Sequence, residues 1–173
     1  QDALARALVL LPLHFGHGLI GNALTPLAAG GTLVVGHPAG IDGLARLGAV
    51  IDRHEITFLT SVPSLWRLAL RLSAPPAGCS LRRVHVGSER LPSELWRAIE
   101  TWCGVDVYNM YGMTETSNWI GGISGTAADH IDGSVGAPWG GEIRVADERG
   151  HAHASGHGEL MVQSPSVMSG YLD

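Results

Sequence analysis

Short unbroken apolar runs alternate with segments of helical period along most of this chain, and that alternation constrains its fold more than any other feature. The run "ALVLLP" (7–12) ends at a proline and reads as a strand buried on both faces. The segment "HGLIGNALTPLAAGG" (17–31) has apolar residues at helical spacing and stops on Gly30-Gly31, so it reads as a helix. "TLVVG" (32–36) is the next buried strand, and "IDGLARLGAVIDRHE" (41–55) a helix with Ile41, Leu44, Leu47 and Ile51 on one face. "ITFLTS" (56–61) is β-rich, and Pro63 opens the helix "PSLWRLALRL" at its favoured first position. "LRRVHVGSE" (81–89) is a strand running into a turn, "PSELWRAIETW" (92–102) a helix, and "GVDVYNMYG" (104–112) a further strand. Such alternation predicts an α/β layer with a mostly parallel sheet.

The pattern changes after about residue 120. "GGISGTAADHIDGSVGAPWGGE" reads as loop, and "EIRVAD" and "ELMVQS" as an antiparallel hairpin around a Gly/His turn. We therefore expect an α/β subdomain over 1–130 and the start of a β-rich, barrel-like antiparallel subdomain over 131–173. Three histidines in the turn, His151, His153 and His157, could ligate a metal, but a Gly/Ser turn is poorly preorganised and a solvated turn is expected. His14 and His17 are three apart and read as pocket lining rather than a metal pair.

Composition excludes several classes. With 45% hydrophobic and 16% charged residues the chain is globular rather than disordered. A formal charge of -5 without a basic patch argues against nucleic acid. No apolar run reaches 18 residues, so no membrane span is expected. Cys79 and Cys103 have neither zinc nor redox spacing and read as reduced thiols of a cytoplasmic protein. All 11 basic residues are arginine, and the chain has no lysine. It begins almost at a buried strand and reads as an internal piece of a longer protein.

Two predicted strand ends are small and polar, "VHVGSE" and "VYNMYGMTETSN". Open α/β sheets bind ligands at the carboxyl ends of their strands. Gly87 and Gly112 would let backbone approach a ligand closely. The Thr114 hydroxyl suits a phosphate oxygen, Glu115 is a hard oxygen ligand suited to Mg2+, and Tyr111 offers a flat face to a base. These residues alone also fit a strand, a glycine turn and a solvated glutamate.

"YNMYGMTE" resembles the Asn-x-Tyr-Gly-x-Thr-Glu signature of the adenylate-forming superfamily of acyl-CoA synthetases, aryl-acid ligases and nonribosomal peptide synthetase adenylation domains. "GSVGAPWGGEIRVADERG" with "GELMVQSPSVMSGYLD" resembles that superfamily's Gly-Glu-Leu…Gly-Tyr region. "LPLHFGHGLIGNALTPLAAGGTLVV" resembles the segment after its phosphate loop. The resemblance covers essentially the whole chain. It implies a ligase that uses ATP and Mg2+ to turn a small carboxylic acid into an acyl-adenylate. The acyl group then passes to CoA or to a carrier-protein phosphopantetheine, with an acyl carrier protein as a possible partner. Carried onto this sequence, Gly87, Ser88, Glu89, Asn109, Tyr111, Gly112 and Thr114 would hold the nucleotide. Thr114 and Glu115 would act at the phosphate, with Glu115 on the metal. His17, Gly18, Gly21, Ser64, Val84, Val86, Met110, Asn118 and Trp119 would line the acid pocket.

The chain departs from the pattern in informative places. His17 aligns where amino-acid-activating members place an aspartate for the substrate ammonium, which favours an acid without an α-amino group. Phe15 aligns with a gating histidine of many acyl-CoA ligases, and Met113 replaces the proline of many peptide-synthetase members. The resemblance puts the lysine-bearing phosphate loop before residue 1, and the ribose-binding aspartate and a lysine-bearing C-terminal domain after Asp173. It thus makes the remaining parts of the same enzyme partners of this chain and implies that the piece alone is inactive. An amino-acid-activating domain, or a non-catalytic scaffold derived from the fold, stands as an alternative.

Overall fold

The computed structural model describes residues 2–36 and 40–172. Among these residues ten strands form two sheets. The first is seven-stranded, with order β2-β1-β3-β4-β5-β6-β7. Its strands are β1 (Arg6–Leu8), β2 (Thr32–Val34), β3 (Phe58–Ser61), β4 (Arg83–Gly87), β5 (Val107–Gly112), β6 (Trp119–Ser124) and β7 (Ala137–Pro138). The first five are mutually parallel, and β6 and β7 join antiparallel. The second sheet holds β8 (Glu142–Ala146), β9 (Ala152–His153) and β10 (Glu159–Gln163), antiparallel in order β10-β8-β9. The architecture is thus α/β with a mostly parallel sheet followed by a small antiparallel one. β7, beyond residue 130, still belongs to the first sheet, and the second begins at Glu142.

The helices are α1 (Thr25–Ala28), α2 (Ile41–Ala45), α3 (Leu47–Arg53), α4 (Pro63–Leu72), α5 (Ser93–Cys103) and α6 (Gly125–Ala128). Parallel neighbours need long crossovers, and α4 and α5 supply them between β3, β4 and β5. The long helix expected over 41–55 is interrupted at Arg46, whose backbone leaves helical values (φ -108°, ψ 8°). The helix expected over 17–31 is a wide π-helix over His17–Leu24 that narrows into α1. There the Thr25 hydroxyl and backbone N–H both donate to the Ile20 carbonyl.

Pleating places alternate residues of each strand on opposite faces. One face carries Leu59, Val84, Val86 and Val107 into a core shared with α3, α4 and α5. Trp66 and Trp102 meet there edge to face at 5.4 Å, and Trp96 donates its indole N–H to the Val107 carbonyl at 2.9 Å. The other face, by the register of β3, β4 and β5, carries Phe58, Thr60, His85, Gly87, Tyr108 and Met110. His85 sits edge-on to Phe58 (5.0 Å) and to Tyr108 (5.7 Å). This second face leads to the polar strand ends.

The apolar run at 7–12 yields a strand only as far as Leu8. Beyond it the Asn22 side chain takes over, accepting from the Leu10 and Leu11 N–H groups and donating to the Leu8 carbonyl. The start of the glycine tract after residue 120, expected as loop, belongs to strand β6, and the rest of it holds α6 and β7. A Cβ at Gly121 would come within 2.9 Å of the Ala137 carbonyl, and one at Gly122 within 2.8 Å of Met110 Sδ. Glycine here permits close strand packing rather than a flexible turn. The expected hairpin of β8 and β10 forms, with β9 added from its connecting loop. Among the described residues no helix is long and apolar enough to cross a membrane.

Candidate functional site

Two cavities open at the carboxyl ends of β4 and β5, and both are lined by Ser88 and Gly112. The first, about 390 Å³, runs between the start of the π-helix and the turn after β5. The second, about 320 Å³, lies over Glu89, Asn109 and Tyr111 under the loop around Gly133 and Val135. The strand-end positions expected from the sequence therefore do come together.

His17 is the polar centre of the first cavity. One ring nitrogen, Nε2, lies 2.7 Å from Thr60 Oγ1, and the other, Nδ1, lies 3.0 Å from Ser88 Oγ. Burial lowers its pKa to about 4, so the ring is neutral at pH 7. A neutral imidazole donates from one nitrogen and accepts at the other, and the two hydroxyls satisfy both needs. Ser88 reaches it from a left-handed backbone (φ 67°), an unusual conformation for serine, at the kink where β4 ends. The Trp119 indole closes the cavity, edge-on to His17 with centroids 4.3 Å apart.

Glycines make room for that indole. A Cβ at Gly87 would meet Trp119 Cη2 at 2.7 Å, and one at Gly21 would meet Trp119 Nε1 at 3.1 Å and Asn118 Nδ2 at 3.3 Å. Gly112 is equally constrained, since its Cβ would fall 2.1 Å from the Asn118 carbonyl oxygen.

Among the described residues, Glu115 is the one formally charged residue lining the first cavity. Its Oε1 accepts a hydrogen bond from the Tyr171 hydroxyl at 2.6 Å. That bond first, and then its own backbone N–H, hold the carboxyl below the usual glutamate range. Thr114 lines the same cavity with an exposed side chain. An anionic oxygen beside a hydroxyl, at a cavity able to take phosphates, is a donor set that fits Mg2+, which takes one or two carboxylates and completes its shell from phosphates and water. No cluster of three or more His, Cys, Asp or Glu residues able to hold a metal occurs among the described residues, so the turn histidines do not form one. His151 and His153 instead approach Asp147, at 3.6 and 3.1 Å.

In the second cavity Asn109, 3% exposed, donates from Nδ2 to the Ser134 carbonyl at 2.7 Å and so ties down the covering loop. Arg90 pairs with Asp132 at 2.5 Å on the same loop. Tyr111 and Met110 also line this cavity.

Several expected acid-pocket residues lie elsewhere. Val84 and Val86 do share one face of β4, but it is the core face, where both are fully buried away from His17 and Trp119. Gly18 allows a backbone contact rather than pocket space, since its Cβ would lie 2.0 Å from the Pro12 carbonyl oxygen. Ser64 donates to Glu89 Oε1 at 2.7 Å and lines neither cavity. Conversely, Thr60, Ser117 and Tyr171 contribute without having been singled out, and Phe15, aligned with the gating histidine, lines the first cavity. The position of Thr60 near the carboxyl end of β3 was the available signal for it; Tyr171 lies too far along the chain for spacing to connect it to Glu115.

Known proteins resemble this chain over nearly its whole length. The family model described as "AMP-binding enzyme" matches residues 2–172. Sulfoacetate–CoA ligase of Cupriavidus necator is 32% identical over 167 residues, covering 96% of this chain and 32% of its own length. 2-Succinylbenzoate–CoA ligase of Bacillus pumilus is 33% identical over 169 residues, covering 96% and 33%. O-succinylbenzoate coenzyme A synthetase from Bacillus subtilis, solved with ATP and a magnesium ion, superposes with a TM-score of 0.79 at 28% identity, over 97% of this chain and 34% of that one. The chain spans about a third of the length of the relatives it matches. On the match over nearly its whole length, this chain belongs to the AMP-binding enzyme family.

Proposed function

We propose that this chain supplies the nucleotide- and acid-facing part of an ATP-dependent, AMP-forming carboxylate ligase. The observation that carries this reading is the pair of cavities meeting at Ser88 and Gly112, one lined by Tyr111 and Glu89, the other by Thr114, Glu115 and His17. Adenine stacks on Tyr111 in the second cavity, and the phosphates cross the Ser88–Gly112 junction. Thr114 hydrogen-bonds the reacting phosphate, and the acid enters the first cavity between His17, Asn118 and Trp119. Glu115 would hold Mg2+, which would supply charge compensation at the phosphates; the carboxylate attacks the α-phosphorus and pyrophosphate leaves. Holding both anions in contact is the main task such a site performs. The thiol of CoA or of a carrier-protein phosphopantetheine then takes the acyl group from the adenylate, and AMP leaves.

The acid is one without an α-amino group. A neutral His17 between two hydroxyls offers nothing to compensate an ammonium. An aryl or medium acyl acid suits the Trp119 wall. The test is ATP–pyrophosphate exchange by the full-length protein with a panel of acids. Exchange with aryl or acyl acids is expected; exchange with α-amino acids alone would replace this reading with an amino-acid-activating domain. Since the chain contains no lysine, the 173-residue piece by itself is expected to support no exchange. Absence of exchange from the full-length protein with every acid would favour a scaffold module.

A further inference from the structure

The geometry points to Tyr171 as a positioning residue that holds Glu115 in a one-oxygen mode of metal ligation. The inference rests on the reading of Glu115 as the magnesium ligand. Three ties lay the chain from Ser166 to Tyr171 across the turn that carries Glu115. The Met168 N–H donates to the Glu115 carbonyl at 2.8 Å. The Ser117 hydroxyl donates to the Ser166 carbonyl at 3.2 Å. The Tyr171 hydroxyl then donates to Glu115 Oε1 at 2.6 Å.

The first two ties fix where the strap lies, and the third acts on the functional atom. A glutamate side chain free at the mouth of a cavity samples several rotamers, and ordering it costs free energy each time a ligand binds. Tyr171 removes that cost beforehand and occupies one carboxylate oxygen. Oε2 is left to face a cation. Mg2+ has a strict octahedral preference and short bonds, which favours one carboxylate oxygen over two from the same group. Tyr171 itself is 71% exposed, so its ring is not part of the core and its hydroxyl can be removed without a packing defect.

The experiment uses the full-length protein and Mn2+ as a paramagnetic substitute for Mg2+, titrated by electron paramagnetic resonance with a non-hydrolysable ATP analogue present. Nucleotide binding without metal and the melting temperature are measured alongside. Tyr171→Phe is expected to weaken Mn2+ binding by about three- to tenfold, the worth of one ordinary hydrogen bond. Metal-free nucleotide affinity and melting temperature should not change, and the Mg2+ concentration giving half-maximal exchange should rise in step. Glu115→Gln separates the two levels of the claim. If it weakens Mn2+ while Tyr171→Phe does not, Tyr171 is no positioning residue and the metal assignment stands. If neither variant changes Mn2+ affinity, both ideas fall. Tighter Mn2+ binding by Tyr171→Phe would mean that the hydroxyl competes with the metal, which also overturns the proposal.

Discussion

Gly87 lies directly beneath the Trp119 indole, so close that a Cβ there would sit 2.7 Å from Cη2. The same Cβ would meet the Met110 carbonyl oxygen at 2.7 Å, and backbone cannot yield as a side-chain tip can. Gly87→Ala is therefore expected to push Trp119 out of the first cavity and to destabilise the protein by about 1–3 kcal/mol. Tryptophan fluorescence and urea unfolding would read the two effects. An alanine variant with unchanged emission and midpoint would show that the indole does not rest on Gly87.

His17 predicts a pH dependence. Its pKa in the fold is about 4, against 6.5 ordinarily, and the cause is burial. The unfolded chain thus binds more protons at this site between these values, and stability rises with pH across that window. His17 contributes fully above about pH 6.5, and its contribution fades as pH falls toward 4. His85, lowered to about 3 by burial first and then by Arg83 and His17, acts in the same direction and further down. His17→Gln keeps partners for Thr60 and Ser88 but cannot titrate. Its urea midpoint should fall less between pH 7 and pH 4.5 than that of the unmodified protein. Equal losses in both would exclude His17 as a source of the slope.

Asn109 was expected to touch the nucleotide, yet its amide N–H₂ is committed to the Ser134 carbonyl. Replacing it with aspartate substitutes an acceptor for that donor while keeping the shape. We expect Asn109→Asp to cost about 1–3 kcal/mol and to raise hydrogen exchange over residues 131–136, with weaker nucleotide binding. Unaltered exchange in that loop would contradict the clasp.

Sequence logic reached the elements whose signals are local. Pro63 at the first helical position set the start of α4, whereas Gly104, expected to open the next strand, instead takes the left-handed cap that ends α5. The strand ends around Gly87 and Gly112 were legible because small polar residues follow apolar runs. Parity along β4 was also legible, since Val84 and Val86 share a face. Which face meets the cavity was not, because that depends on where α4 and α5 pack. β6 was hidden for a related reason. Its glycines resemble a turn by composition, and the need for them arises only against β7 and Met110. Asn22 ends β1 and Tyr171 reaches Glu115 through pairings that no local pattern encodes.

The central claim is that the wall formed after β5 handles the metal and phosphates of an adenylation reaction, and Glu115→Gln tests it most directly. The change removes the charge while keeping an oxygen to accept from Tyr171. In the full-length protein, ATP–pyrophosphate exchange with its preferred acid should fall on the order of a hundredfold at saturating acid. Excess Mg2+ should restore part of the loss. An unchanged rate at every Mg2+ concentration would contradict the account.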